Sequence, residues 1–265
     1  MSFLIINALV ILGLMLVVWL ISLPLKDVSI IDLVWGAGFA VVAWSSFIIG
    51  NSSSITIWLL LGLTTIWGMR LSAYLAWRNV GKPEDRRYAK MREKWGSLFP
   101  IVSLFTVFLL QGVVMWVVSL PVQYGVQHGA AGWSPWHLVG GFAWLVGIFF
   151  EAVGDWQLAR FKSKPENNGK VLDEGLWRYT RHPNYFGDFC VWWGLYLVAI
   201  GGGAPWWTAI GPLVMSGFLM FLSGVTLLEK DLKQRKPDYA DYIERTNAFF
   251  PGPPVSDSHP AANHA

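Results

Sequence analysis

The chain has 265 residues, of which 54% are hydrophobic and 14% charged, against roughly 25% charged in an average soluble protein. With 17 tryptophans and a mean hydropathy of +0.43, this composition excludes an ordinary water-soluble domain and points to a polytopic all-α membrane protein. The net charge of +3 does not point to nucleic acid, because the basic residues fall in the connections between apolar runs. The single cysteine, Cys190, excludes an intrachain disulfide, and without a CxxC, HExxH or Walker-type glycine loop no metal centre is expected.

A bilayer core of about 30 Å takes about 20 apolar residues in a helix. Seven runs qualify: residues 3–23, 28–50, 55–77, 99–121, 136–157, 186–203 and 206–228. The first has no basic stretch before it and is long enough to span, so no cleavable signal peptide is expected. Lys26 follows the first run, Arg78 to Lys94 follow the third, Arg160 to Arg181 follow the fifth, and Lys230 to Arg245 follow the seventh. The alternate connections 51–54, 122–135 and 204–205 carry no Lys or Arg. Every basic residue but Arg70 therefore lies on one side, which predicts an outside N-terminus and a cytosolic C-terminus. Residues 1–250 read as one domain whose C-terminal part begins at 136, and 251–265 as a disordered tail.

Ionisable groups inside spans are costly, and each one is a functional hypothesis. Here they are Asp32, Arg70, Glu151, Asp155 and Asp188, with Gln111 near mid-span. At about 1.5 Å rise per residue, all five charges fall in the cytosolic half, where they can line one cavity. Asp32 and Arg70 either pair to hold two helices together or belong to a site. Glu151 and Asp155, at i and i+4, share a helix face and require a basic group opposite or a neutral carboxyl. Asp188 either caps its helix or joins the site. Tyr74, one turn after Arg70, either donates to a ligand carbonyl or reaches the interface. Most tryptophans, such as Trp58, Trp77 and Trp206, suit interfacial belts.

The basic connections are not uniform. Residues 83–95 form a predicted amphipathic helix carrying Arg87 and Tyr88. Pro165, Asn167-Asn168-Gly169 and Gly175 break the stretch 155–188 into short pieces. Its end, GLWRYTRHPNYFGD (175–188), concentrates Arg178, Arg181, His182, Asn184 and Asp188. Arginines suit phosphate oxygens, and an acid suits ribose hydroxyls or a carboxamide. After the seventh run, Asp231, Tyr239 and Tyr242 lie on a predicted amphipathic helix anchored by Phe249 and Phe250.

These blocks carry a resemblance. GLWRYTRHPNYFGD, preceded by DWQLARFK (155–162) and followed by LEKDLKQRKPDYADYIERTNAFFP (228–251), resembles the steroid 5-alpha-reductase-like membrane family. SIIDLVWG (29–36), WGMRLSAYLAWR (67–78) and PEDRRY (83–88) fit its bacterial branch, described only as a domain of unknown function. Sterol reductases and isoprenylcysteine carboxyl methyltransferases share versions of the RHPNY block. The resemblance implies a helical bundle in the bacterial inner membrane that holds NADPH from the cytosolic side. It places Asp155, Gln157 and Lys162 at the nucleotide, and Arg181, His182, Asn184, Tyr185 and Asp188 at the pyrophosphate, ribose and nicotinamide. Asp231 and Tyr242 match the family's acid-to-tyrosine spacing; Lys170, Arg178 and Tyr239 complete the expected cofactor set. The family's Gln-Glu pair is absent. Asp32 stands for its acid, Trp67 falls near its tyrosine, and Tyr74 lies further along. The implied reaction is hydride transfer to the β-carbon of an α,β-unsaturated carbonyl, with Asp32, Arg70, Tyr74 and Trp67 at the carbonyl. The lipophilic substrate enters from the bilayer, whose lipids are the other expected partners. The alternatives are an S-adenosylmethionine-dependent methyltransferase and a non-catalytic lipid-binding protein.

Overall fold

A computed structural model of the chain describes residues 2–50, 52–130, 132–222 and 238–254. All regular structure among the described residues is helical. In chain order the helices are α1 (Phe3–Leu25), α2 (Ile30–Gly50), α3 (Ile55–Asn79), α4 (Arg86–Trp95), α5 (Phe99–Ser103) and α6 (Leu110–Val118). They continue with α7 (Leu120–His128), α8 (Pro135–Lys162), α9 (Pro183–Gly201), α10 (Ile210–Gly217) and α11 (Tyr239–Arg245). Five helical runs are long and apolar enough to cross a membrane: α1, α2, α3, α8 and the continuous stretch Arg86–Val118. The protein is thus an integral membrane protein. The sixth and seventh expected runs correspond to α9, with 19 residues, and to the shorter apolar stretch Trp206–Phe221.

Two boundaries differ from the sequence expectation. The fourth run does not begin at Phe99: helical structure starts at Arg86 and passes through a 3-10 turn at Gly96–Leu98 and a π-helical turn at Leu104–Leu109. It breaks at Ser119, and the expected connection after it holds α7 instead. Proline near a helix N-terminus is tolerated because its missing N–H has no intrahelical partner there, and Leu120, Pro121, Val122, Gln123 and Val126 are all buried.

The chain forms two compact units, Met1–Phe142 with Trp193–Val214, and Ala143–Trp192 with Met215–Ala265. In the first, α2 and α3 touch backbone to backbone. A Cβ built on Gly36 would lie 2.4 Å from the Gly68 carbonyl oxygen, and one on Gly68 would lie 2.3 Å from that of Gly36. Small residues let membrane helices approach closely and gain dispersion energy. Gly68→Ala is therefore expected to destabilise the detergent-solubilised protein by about 1–3 kcal/mol, the usual cost of overpacking. An unchanged melting temperature would show that this contact does not hold the helices.

A buried polar network crosses the same unit. Asn7 Nδ2 donates to Ser46 Oγ at 2.8 Å and to Gln123 Oε1 at 3.0 Å, and Gln123 Nε2 donates to the Trp116 carbonyl. It ties α1 to α2 and α7 without any charge, as interhelical polar pairs do in membranes. In the second unit α8 and α9 meet through Gly147, whose added Cβ would lie 2.6 Å from the Gly187 carbonyl oxygen. Phe150, Phe186, Phe189, Phe249 and Phe250 pack there edge to face, the arrangement favoured by the ring quadrupole.

Candidate functional site

In the first unit the chemistry gathers where α4 packs on the start of α2. Asp85 caps α4: its Oδ1 accepts the Arg87 N–H at 2.9 Å, satisfying one of the helix's orphan donors. Its own N–H donates to Ser29 Oγ at 2.7 Å, while the Val28 N–H donates to Glu84 Oε1 at 2.8 Å. These bonds fix α4 so that Tyr88, its one buried residue, points at Asp32. The Tyr88 hydroxyl donates to Asp32 Oδ1 at 3.1 Å and accepts from Gln111 Nε2 at 3.3 Å. Arg87 Nη2 lies 3.4 Å from Asp32 Oδ2. An acid, a phenol and an amide from three helices thus form one chain of hydrogen bonds. Such a phenol is positioned, and by turning its one proton away from Asp32 it can present it to an oxygen on which negative charge develops.

Glu84 anchors this arrangement from outside the spans. Arg92 grips both its oxygens, with Nε at 2.8 Å and Nη2 at 2.7 Å. Burial alone would raise the Glu84 carboxyl, but the Arg92 hydrogen bonds, the Val28 N–H and the Arg92 charge outweigh it and hold it below its ordinary value of 4.5. A depressed carboxyl contributes stability that is fully present above its unfolded value and is lost as pH falls through the folded one. The stability gap between wild type and Glu84→Gln should accordingly be constant above about pH 5 and close on acidification below the ordinary carboxylate range. Melting temperatures of both proteins across that range check it, and a gap that widens in acid would contradict the Arg92 clamp.

The other residues expected at the carbonyl, Trp67, Arg70 and Tyr74, lie on α3. Tyr74 has the Arg70 guanidinium 5.5 Å and the Arg78 guanidinium 5.6 Å from its ring centroid, a cation–π stack along α3. Trp67 is fully buried, with its ring tilted 65° to Phe39 at 5.6 Å. It is core, unlike the exposed Trp58, Trp77 and Trp206, which suit the interfacial role.

In the second unit the site is built where the C-terminal part of α8 meets the start of α9. Glu151 and Asp155 are 3% and 5% exposed. Asn184 Nδ2 donates to Asp155 Oδ1 at 3.3 Å, and Glu151 packs against Gly187. His182 is buried, and its ring lies parallel to that of Tyr185 at 5.3 Å. The N-terminal end of α9 faces these acids, which suits the partial positive charge there. Asp188 is not a helix cap. Since α9 begins at Pro183, no acid lies in its first turn, and Asp188 sits half-buried in the second.

The turn Gly175–Arg178 is pinned onto α8. Gln157 Oε1 accepts the Leu176 N–H at 3.0 Å, and Trp177 Nε1 donates to the Gly154 carbonyl at 3.1 Å. Gly175 has φ +60, and a Cβ there would strike the Gln157 amide. The following residues are strapped to the C-terminal segment. The Arg181 N–H donates to the Asn247 carbonyl at 2.9 Å, and its Nη1 donates to the carbonyls of Ile243, at 3.1 Å, and Thr246. Thr180 Oγ1 donates to the Phe249 carbonyl at 2.8 Å, and the Tyr242 hydroxyl to that of Trp177. Tyr239 is buried, with its ring centroid 5.7 Å from that of Tyr242.

The expected cofactor residues therefore divide. Asp155, Asn184, His182 and Tyr185 come together with polar groups and ring faces. Gln157, Arg181 and Tyr242 direct hydrogen-bonding atoms at the backbone. Lys162, Lys170 and Arg178 are exposed, and Asp231 lies outside the described residues. The sequence reading named Tyr88 without its partner Asp32, and Gln111 without Tyr88. Polar Gln111 inside an apolar run was the one available signal. Nothing in the sequence marked the backbone carbonyls that receive Arg181.

A family described as "Protein of unknown function (DUF1295)" matches residues 18–246. The chain is 24% identical to "Uncharacterized protein C594.04c" of Schizosaccharomyces pombe, over 89% of this chain and 76% of that protein. No solved structure matches it.

Proposed function

Starting from the premise that the chain belongs to the DUF1295 family of proteins of unknown function, we propose that it is an NADPH-dependent membrane reductase. Its substrate is a lipophilic α,β-unsaturated carbonyl compound reached through the bilayer. The observation that supports this reading is the Asp32–Tyr88–Gln111 chain. In this proposal Asp32 and Gln111 position the Tyr88 hydroxyl before substrate binds; the hydroxyl then turns its one proton from Asp32 to the substrate carbonyl oxygen, while Gln111 goes on donating to the Tyr88 oxygen. Negative charge passing to that oxygen as the β-carbon is reduced is met by a preoriented donor, and water protonates the α-carbon. Tyr88 takes the place that the resemblance implied for Tyr74 or Trp67.

The second unit fits a dinucleotide in part. Asp155 and Asn184 offer an acceptor and a donor for ribose hydroxyls or a carboxamide, and His182 with Tyr185 offers flat ring faces. Arg181 Nη1 does not fit as a phosphate ligand, because two carbonyls hold it. In this reading the phosphates fall to cations such as Lys162, Lys170 and Arg178. When bound, NADPH supplies the hydride. The reading includes seven spans, with α9 and the Trp206 stretch as the last two, an outside N-terminus and a cytosolic C-terminus.

Thermal unfolding of the detergent-purified protein with NADPH, NADH and S-adenosylmethionine tests the proposal, since a ligand that binds only the folded state raises the melting temperature. At about 100 times its dissociation constant, NADPH should add about 2.7 kcal/mol. A shift with S-adenosylmethionine alone would replace the reductase by a methyltransferase. No shift with any of the three would turn the reading to a non-catalytic protein.

A further inference from the structure

The cations of α4 divide into two sets. Arg87 and Arg92 are committed: Arg87 Nε lies 2.9 Å from Asp85 Oδ1 and its Nη2 3.4 Å from Asp32 Oδ2, while Arg92 Nη2 lies 2.7 Å from Glu84 Oε1. Arg86, Lys90 and Lys94 are exposed, and none of them enters an ion pair among the described residues. They stand at i, i+4 and i+8, and so form one stripe with about 6 Å between neighbours along the helix axis. Arg86 and Lys90, each two positions from Tyr88, lie on the far side of the helix from it. Glu93 is the only acid in the helix and cannot neutralise three cations. Like charges four residues apart repel, so the stripe is unfavourable until an anion lies over it. Large apolar side chains flank both ends: Trp77 and Val80 are exposed at the end of α3, and Trp95 and Leu98 where α4 gives way to the spanning run. The Lys94 ammonium lies 5.6 Å from the centroid of the Trp95 ring.

We propose that this stripe docks the phosphodiester headgroups of anionic phospholipid, and that lipid held there braces the helix that carries Tyr88. An exposed tryptophan beside a lysine suits the bilayer boundary, where the ring sits among headgroups and the long stem carries its ammonium to a phosphate. Apolar flanks at both ends of a cationic stripe fit a surface where hydrocarbon gives way to anionic headgroups; a soluble acidic partner would use the charge and leave the flanks uncovered. Each Lys or Arg close to an anionic leaflet raises affinity about fivefold, so three together reach about a hundredfold. On the other face, the bonds of Glu84 and Asp85 to the Val28 N–H and to Ser29 already fix α4 on the start of α2. Lipid on the outer face holds the same helix from its free side. The inference does not rest on the reductase reading, because it concerns what holds α4 and not what Tyr88 does.

The test places the full-length protein in nanodiscs of phosphatidylcholine alone and of phosphatidylcholine mixed with phosphatidylglycerol, and reads hydrogen exchange. The amides of residues 86–95 should exchange about tenfold more slowly with the anionic lipid, those of α2 and α3 should not change, and high salt should erase the difference. Arg86→Gln, Lys90→Gln and Lys94→Gln combined keep good helix formers and leave Glu84, Asp85 and Tyr88 in place. This variant should exchange like wild type in phosphatidylcholine and gain no protection from phosphatidylglycerol. Equal exchange of the wild type in the two bilayers would overturn the inference without recourse to any variant, as would a variant that still responds to phosphatidylglycerol. Protection by inorganic phosphate in phosphatidylcholine nanodiscs would replace the lipid with a free anion. Protection by polyglutamate but not by phosphatidylglycerol would assign the surface to an acidic protein.

Discussion

Arg181→Ala should lower the stability of the detergent-solubilised protein by about 3–5 kcal/mol, from two charge-assisted bonds lost and two carbonyls left in buried surroundings. The residue is 8% exposed, so water cannot readily replace the guanidinium. The two carbonyls belong to Ile243 and Thr246 at the C-terminal end of α11, where orphan acceptors and the negative end of the helix dipole favour a cation. Arg181→Lys keeps the charge but has no planar fork to reach both carbonyls, and should recover part of the loss. Hydrogen exchange adds a local readout, because the amides of residues 239–252 should lose protection before those of α2 and α3. If Arg181→Ala melts like wild type and keeps that protection, the strap is not what holds this segment. A selective loss of NADPH affinity without loss of stability would instead return Arg181 to the phosphate role implied by resemblance.

Tyr88→Phe is expected to reduce turnover of a lipophilic enone by about 10²-fold or more, the usual contribution of a positioned proton donor, with a smaller effect on KM. The ring still fills its site, so the cost in stability should be limited to about 1 kcal/mol for one hydrogen bond. Asp32→Asn retains the shape but replaces the acceptor and removes the partner of Arg87, and should lower kcat in the same direction. If the two act as a unit, the double variant will be no slower than the worse single one, because groups that work together are not additive. Steady-state kinetics of the four proteins decide this. Full turnover in Tyr88→Phe would remove the hydroxyl from the chemistry and leave the Asp32–Tyr88 pair as a helix-packing device.

The membrane-spanning nature of the chain was legible because about 20 consecutive apolar residues are a one-dimensional signal, and α1, α2 and α3 follow it closely. The α7 segment was not legible: a buried helix of nine residues with Pro, Gln and Gly has the composition of a connection, and burial decides its state. At the site, Asp32 stood out because an acid in an apolar run is costly. Its partners did not, because Arg87 and Tyr88 lie 55 and 56 residues away on a helix whose solvated face dominates its sequence. Arg181 shows the opposite case. A guanidinium free to grip a phosphate and one bonded to backbone carbonyls are the same letter in a sequence, and only the approach of the 243–247 segment distinguishes them.

The π-helical turn at Leu104–Leu109 has a bearing on how relatives are compared. Bonding from i to i+5 accommodates one residue more than an α-helical turn, so everything after Leu109, beginning with α6, is stepped round by one position. A homologue with an ordinary helix here would align to this chain with a single-residue gap in the middle of a membrane-spanning segment. Such a gap would mark the true correspondence. Forcing it out to the nearest loop would pair Gln111 with the wrong column and hide the residue that reaches Tyr88.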